Sequence, residues 1–161
     1  QALATFCATV AKAAPNLPFY YYHIPSMTGV TFAMTDLYKA MSELHPEVTN
    51  FAGIKYTGLY NTPGFMDVVT LLEDYPELEI LGGRDELLVQ MLATGLKGFV
   101  GSQYNIIADL YSQIRANVEA GNLSQARKLQ RQAIEFIHIC LNAGPGVYGF
   151  KAALDMAVTI G

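Results

Sequence analysis

Tyr22 and Lys55 are the two residues whose types and spacing could do chemistry together. Each lies near the end of a short apolar run, residues 19–24 and 51–56. In the second run a lysine stands where another aliphatic would be expected. Burying an ammonium there is costly unless the lysine gives up its proton, and a deprotonated amine is a nucleophile that condenses with a keto group. The resulting iminium withdraws electrons from the adjacent carbon–carbon bond. A phenol beside it could move the protons that bond cleavage requires. Plainer readings stand next to these. Lys55 could carry its head out to solvent along an apolar stem, and Tyr22, third in a run of three tyrosines, could be core packing.

The elements that must position this pair follow from hydrophobic period and breakers. Residues 2–14 show a helical spacing with Leu3, Phe6, Val10 and Ala14 on one side, and Pro15 and Pro18 end it. Residues 19–24 are a strand by aromatic content, stopped by Pro25 and followed by a loop. Thr35 or Asp36 caps a helix running to Leu44, and 51–56 is the lysine strand. A helix over 62–75 takes Pro63 at its first position. Residues 77–81 form a third strand ended by Gly82-Gly83, and 85–93 a third helix. Residues 98–101 are a short, glycine-rich fourth strand. Helices over 104–120, 124–143 and 148–160 complete the chain, the last two separated at Gly144-Pro145-Gly146. Strands alternating with helices predict parallel βαβ units, and continuously apolar strands predict a sheet covered on both faces. A small doubly wound sheet and part of a (β/α)8 barrel both fit, and both place ligands at the carboxyl ends of the strands. Tyr22 and His23, Lys55 and Thr57, Gly83 to Glu86, and Ser102 all fall at such ends.

Composition narrows the function classes. The 161 residues are 52% hydrophobic and 15% charged with a net charge of −4, and mean hydropathy is +0.24. That balance predicts a well-buried core, and without a basic run it offers no footprint for nucleic acid. No apolar stretch approaches the roughly 20 residues of a membrane helix, and no signal peptide opens the chain. Cys7 and Cys140 lack metal-ligand spacing and read as free thiols. The expectation is a soluble, cytoplasmic protein without metal. Neither a G-x-G-x-x-G fingerprint nor a Walker loop is present, which removes the main support for nucleotide binding.

Two stretches carry a family resemblance. Tyr22-His23-Ile24-Pro25-Ser26-Met27-Thr28-Gly29, followed by Gly53-Ile54-Lys55-Tyr56-Thr57, resembles the N-acetylneuraminate lyase and dihydrodipicolinate synthase superfamily of class I aldolases. Gly82-Gly83-Arg84-Asp85-Glu86 and Gly101-Ser102-Gln103-Tyr104-Asn105 look like that family's Gly-x-Asp-Glu and Gly-Ser-x-Tyr-Asn segments, and the likeness runs over essentially the whole chain. Met27 stands where the synthase branch usually has arginine, and Thr57 follows Lys55 by two as in the lyase branch. His23 matches the animal-type form of the first motif, while Gln103 replaces a threonine common in the family and Arg84 stands at a variable position.

The resemblance implies an α/β chain of the (β/α)8 TIM-barrel family, here strands five to eight plus C-terminal helices. It reads as one unit over 1–161, with βα units over 1–121 and a helical extension over 122–161. It also implies a lyase cleaving sialic acid to N-acetylmannosamine and pyruvate, with Lys55 as Schiff base, Tyr22 as proton shuttle, and Thr57, Gly83, Asp85, Glu86 and Ser102 holding the sugar. No cofactor beyond the covalent Schiff base is implied, and homotetramers are usual in the family. Related 2-keto acid aldolases, or a non-catalytic half acting as an interaction partner, are the other readings. The family's Gly-Ser/Thr-Thr-Gly-Glu loop for the keto-acid carboxylate is not found in the sequence, and neither Ser26 nor Thr28 substitutes for it. The expectation is therefore a fragment, a truncated isoform, or a half that pairs with the missing N-terminal half, with little or no lyase activity alone.

Overall fold

The computed structural model describes residues 1–58, 62–144 and 147–160, so Pro145 and Gly146 of the expected helix break lie outside the described residues. The elements run α1 (Ala2–Ala13), β1 (Phe19–His23), α2 (Pro25–Thr28), α3 (Met34–Leu44), β2 (Phe51–Tyr56), α4 (Thr62–Asp74), β3 (Glu79–Gly82), α5 (Leu88–Thr94), β4 (Gly98–Phe99), α6 (Ala108–Glu119), α7 (Leu123–Ala143) and α8 (Tyr148–Ile160). The alternation of strands and helices is the α/β pattern expected from the sequence. The chain divides into two compact units, Gln1–Leu81 and Gly82–Gly161.

In the first unit β1, β2 and β3 are neighbours in that order. β1 and β2 pair in parallel, with Tyr21 opposite Ile54, Tyr22 opposite Lys55 and His23 opposite Tyr56, after an irregularity between Phe19 and Tyr20. Gly53 lets β3 approach: a Cβ at that position would lie 2.0 Å from the carbonyl oxygen of Glu79. Asn50 closes the end of α1 by donating from Nδ2 to the carbonyls of Ala11, Ala14 and Leu17 at 2.9–3.2 Å. The core under these strands joins Ala4, Cys7 and Ala8 of α1 to Leu37 and Met41 of α3, with Phe19, Tyr21, Phe32 and Phe51 packed around them.

α1 therefore buries a different face from the one its large residues suggested. Ala4, Cys7, Ala8 and Ala11 are buried, while Phe6 is 64% and Val10 42% exposed. Both faces of this helix are apolar, and the small one wins because it allows close packing on α3.

The start of α3 is also held otherwise than expected. Its N-terminal residue is Met34, and Ala33 before it offers no side-chain cap. Asp67 of α4 instead accepts the Met34 amide at 2.5 Å and the Thr35 amide at 3.1 Å, so a carboxylate from another helix meets the orphan donors and the positive end of the dipole. The loop expected after Pro25 contains the single turn α2, closed by Gly29 in a left-handed conformation (φ 67°).

In the second unit the Val100 amide, just after β4, donates to the Gly82 carbonyl at 2.9 Å. β4 is shorter than the expected strand over 98–101. The helix expected from residue 104 begins as a 3-10 turn, Gln103–Asn105, with α6 starting only at Ala108. Leu88, Val89, Tyr111, Ile114, Ala126, Leu129 and Ala133 form the core that joins α5, α6 and α7.

Asp67→Ala leaves two amides at the buried start of α3 without their acceptor. It is expected to lower unfolding free energy by about 2 kcal/mol in urea titrations followed by circular dichroism.

Candidate active site

Parallel pairing puts the carboxyl ends of β1 and β2 at one edge, and the register brings Tyr22 and Lys55 into contact there. Lys55 Nζ stands 4.0 Å from the centre of the Tyr22 ring. Tyr22 is 44% exposed, the most exposed of the three consecutive tyrosines. Tyr21 packs inward, within the α1–α3 cluster. Lys55 is partly buried, in line neither with a fully sequestered amine nor with a freely solvated one. A carbonyl compound condensed on Nζ would stand beside the phenol.

Thr57 holds the two strand ends in this register. Its amide donates to the His23 carbonyl at 3.1 Å and its hydroxyl to the same oxygen at 2.6 Å. Thr57 is buried, and the proton of its hydroxyl faces the protein. His23 itself is 2% exposed, stacked on Tyr56 at 5.9 Å and 13° and set edge-on to Phe32 at 4.9 Å. Burial pushes its imidazole below the ordinary histidine value, against a smaller upward pull from the Asp67 carboxylate.

In the second unit Gly83, Asp85, Glu86 and Ser102 come together on two turns. Ser102 is exposed, and Gly83 and Glu86 are partly buried. Glu86 pairs with Arg84 at 3.2 Å. Asp85 begins the 3-10 turn Asp85–Leu87 and is buried, its Oδ2 accepting the Gln103 amide at 3.1 Å. The Tyr111 phenol is raised, chiefly by burial and further by the Asp85 and Glu86 carboxylates. Among the described residues, no group of three or more His, Cys, Asp or Glu side chains could hold a metal ion. Nor is any helix among them long and apolar enough to cross a membrane.

Sequence reasoning missed Asp67 and Gln130. Gln130 donates to the Asp85 carbonyl at 3.0 Å and accepts from the Val89 amide at 3.2 Å. A signal for it existed: Ala126, Gln130, Ala133, Ile137 and Cys140 recur at helical spacing, and Gln130 is the polar member of that buried stripe.

Comparison with known proteins agrees with the motifs. The model described as the dihydrodipicolinate synthetase family matches residues 1–159. N-acetylneuraminate lyase A of Xenopus laevis is 38% identical over 151 residues, covering 94% of this chain and 47% of that protein. The solved structure of Proteus mirabilis N-acetylneuraminate lyase superposes with a TM-score of 0.83 at 28% identity, over 96% of this chain and 50% of that one. That of Aliivibrio salmonicida N-acetylneuraminate lyase, also titled a sialic acid aldolase, gives 0.83 at 30% identity over 96% and 49%. The chain spans about half the length of the curated relatives it matches.

Two measurements test this geometry. Thr57→Val, which keeps the shape and loses the hydroxyl, is expected to cost about 1 kcal/mol in urea unfolding, with Thr57→Ser recovering most of it. His23 binds a proton more readily unfolded than folded. Its contribution to stability is therefore intact above pH about 6.5 and is lost as pH falls from there towards the folded value. The slope of unfolding free energy between pH 7 and 5 is expected to flatten in His23→Asn.

Proposed function

Because the chain belongs to the dihydrodipicolinate synthetase family, we propose that it carries the lysine and tyrosine of a Schiff-base aldolase that cleaves N-acetylneuraminate to N-acetylmannosamine and pyruvate. The observation that carries this reading is the Tyr22–Lys55 pair at matched ends of adjacent parallel strands. Lys55 adds to the 2-keto group of the open-chain sugar, and loss of water leaves an iminium. Tyr22 takes the proton of the β-hydroxyl as the bond between the α and β carbons breaks, and the electron pair of that bond passes into the enamine. Protonation of the α carbon and hydrolysis then release pyruvate and free Lys55. No separate cofactor enters, since the iminium is the electron sink. By the family resemblance Thr57, Gly83, Asp85, Glu86 and Ser102 hold the polyol and N-acetyl portion of the sugar, as short polar groups suited to a polyhydroxylated substrate. Met27, 81% exposed where the synthase branch usually carries arginine, favours the lyase over the synthase reaction. Assembly as a homotetramer and a cytoplasmic location belong to the same proposal by analogy with the family.

Borohydride trapping with pyruvate is the test, run on the chain alone and with the N-terminal half of a curated relative added. A covalent adduct mapping to Lys55 is expected in at least one arm, and Lys55→Ala abolishes it. Tyr22→Phe keeps the adduct while reducing pyruvate release roughly 100-fold or more. No adduct in either arm would sink the aldolase reading and favour a non-catalytic interaction module.

A further inference from the structure

The residue beneath Lys55 on its own strand has no side chain. It is Gly53, two positions earlier in β2 and on the same face, so the strand leaves a gap under the lysine stem, roughly 7 Å along from it. Tyr20 of β1 fills that gap. It is the register partner of Gly53, and its ring lies so close over β2 that a Cβ on Gly53 would stand 2.9 Å from Cε1. On the far side of β2 the phenol donates to Oε2 of Glu79, on β3, at 2.5 Å. Three neighbouring strands of one compact unit thus share a layer made of Tyr20, the Gly53 backbone and Glu79.

The next layer holds Tyr22 and Lys55. Tyr20 and Tyr22 point to the same side of β1 because strand side chains alternate, while Tyr21 between them packs into the α1–α3 core. Lys55 Nζ stands 4.0 Å from the centre of the Tyr22 ring. The two tyrosines therefore flank the lysine differently, Tyr22 beside the amine and Tyr20 below the stem. They also differ in what holds the phenol. That of Tyr20 is raised above the ordinary tyrosine value, first by its hydrogen bond to Glu79, then by burial and by the charge of that carboxylate. Tyr20 keeps its proton as a donor to Glu79, where a shuttle would have to release one. A long lysine stem has many rotamers, and a rigid ring beneath it removes those that drop the amine away from Tyr22.

We propose that Tyr20 and Glu79 are positioning residues for Lys55: pinned by Glu79, the Tyr20 ring is the floor that holds the lysine stem up against Tyr22. That Lys55 acts as a Schiff-base nucleophile rests on the aldolase reading. The floor itself rests on the geometry of the three strands.

Reductive methylation of the chain with carbon-13 formaldehyde tests the floor without substrate, since dimethylation keeps the lysine charge. The Lys55 methyl signal, identified by its loss in Lys55→Arg, is expected upfield of the other lysines because of the Tyr22 ring. It moves back towards them in Tyr20→Ala and Glu79→Ala. In Glu79→Gln, whose amide oxygen still accepts the phenol, it stays in place. A Lys55 signal level with the other lysines in the unsubstituted chain, or unmoved in Tyr20→Ala, overturns the proposal. So does a Glu79→Gln change as large as that of Glu79→Ala, because the charge and not the pin would then hold the lysine. Borohydride trapping with pyruvate supplies the functional arm, in whichever mixture forms the adduct. Tyr20→Ala and Glu79→Ala are expected to slow trapping at saturating pyruvate about ten-fold with the half-saturating concentration unchanged, and Glu79→Gln to restore the rate. Trapping at an unchanged rate in Tyr20→Ala also overturns the proposal. If the unsubstituted chain forms no adduct in either mixture, the aldolase reading fails while the methyl signal still decides the floor.

Discussion

The His23 carbonyl receives two hydrogen bonds from Thr57, and the pairing of Tyr22 with Lys55 depends on that junction. Parallel strands alternate their side chains between faces, so a slip of one residue would send either Tyr22 or Lys55 to the opposite face. Amide and hydroxyl of one residue converging on a single oxygen leave no adjacent register that satisfies both. The same junction buries the His23 ring against Tyr56 and Phe32, so apolar packing and polar clamp reinforce one another.

A second theme is the use of buried aspartates to receive backbone amides. Asp67 caps α3 from α4, and Asp85 receives Gln103 from the turn after β4. A short carboxylate suits this work because it loses little side-chain entropy, and amides aimed at it compensate its desolvation. The glutamates behave differently. Glu47, Glu86, Glu119 and Glu135 form ion pairs in partly or fully exposed settings, where each contributes little to stability.

Much of the fold was legible. Proline and glycine breaks, aromatic strands and helical spacing act within a few residues, so the alternation of strands and helices and the placement of Tyr22 and Lys55 at strand ends followed from local pattern. Failures came where distant residues decided. The alanine and cysteine face of α1 was chosen by close packing on α3, leaving Phe6 and Val10 exposed. The cap of α3 comes from Asp67, on another helix, and a search for a local Ser, Thr or Asp cap could not have found it.

The candidate site divides the same way. Residue type and spacing by themselves determined the chemistry on offer, an amine and a phenol at the ends of consecutive strands, because parallel βαβ order carries such ends to one edge. Family membership was equally readable from the motifs and is matched across residues 1–159. Which polar residues face inward was decided only by tertiary structure. Asp85 and Glu86 are adjacent and chemically alike. Their difference arises because Gln103 and Gln130, eighteen and forty-five positions along the chain from Asp85, surround one of them and not the other. Burial and hydrogen bonding to such partners are properties of the folded chain, so no local pattern could have separated the two carboxylates.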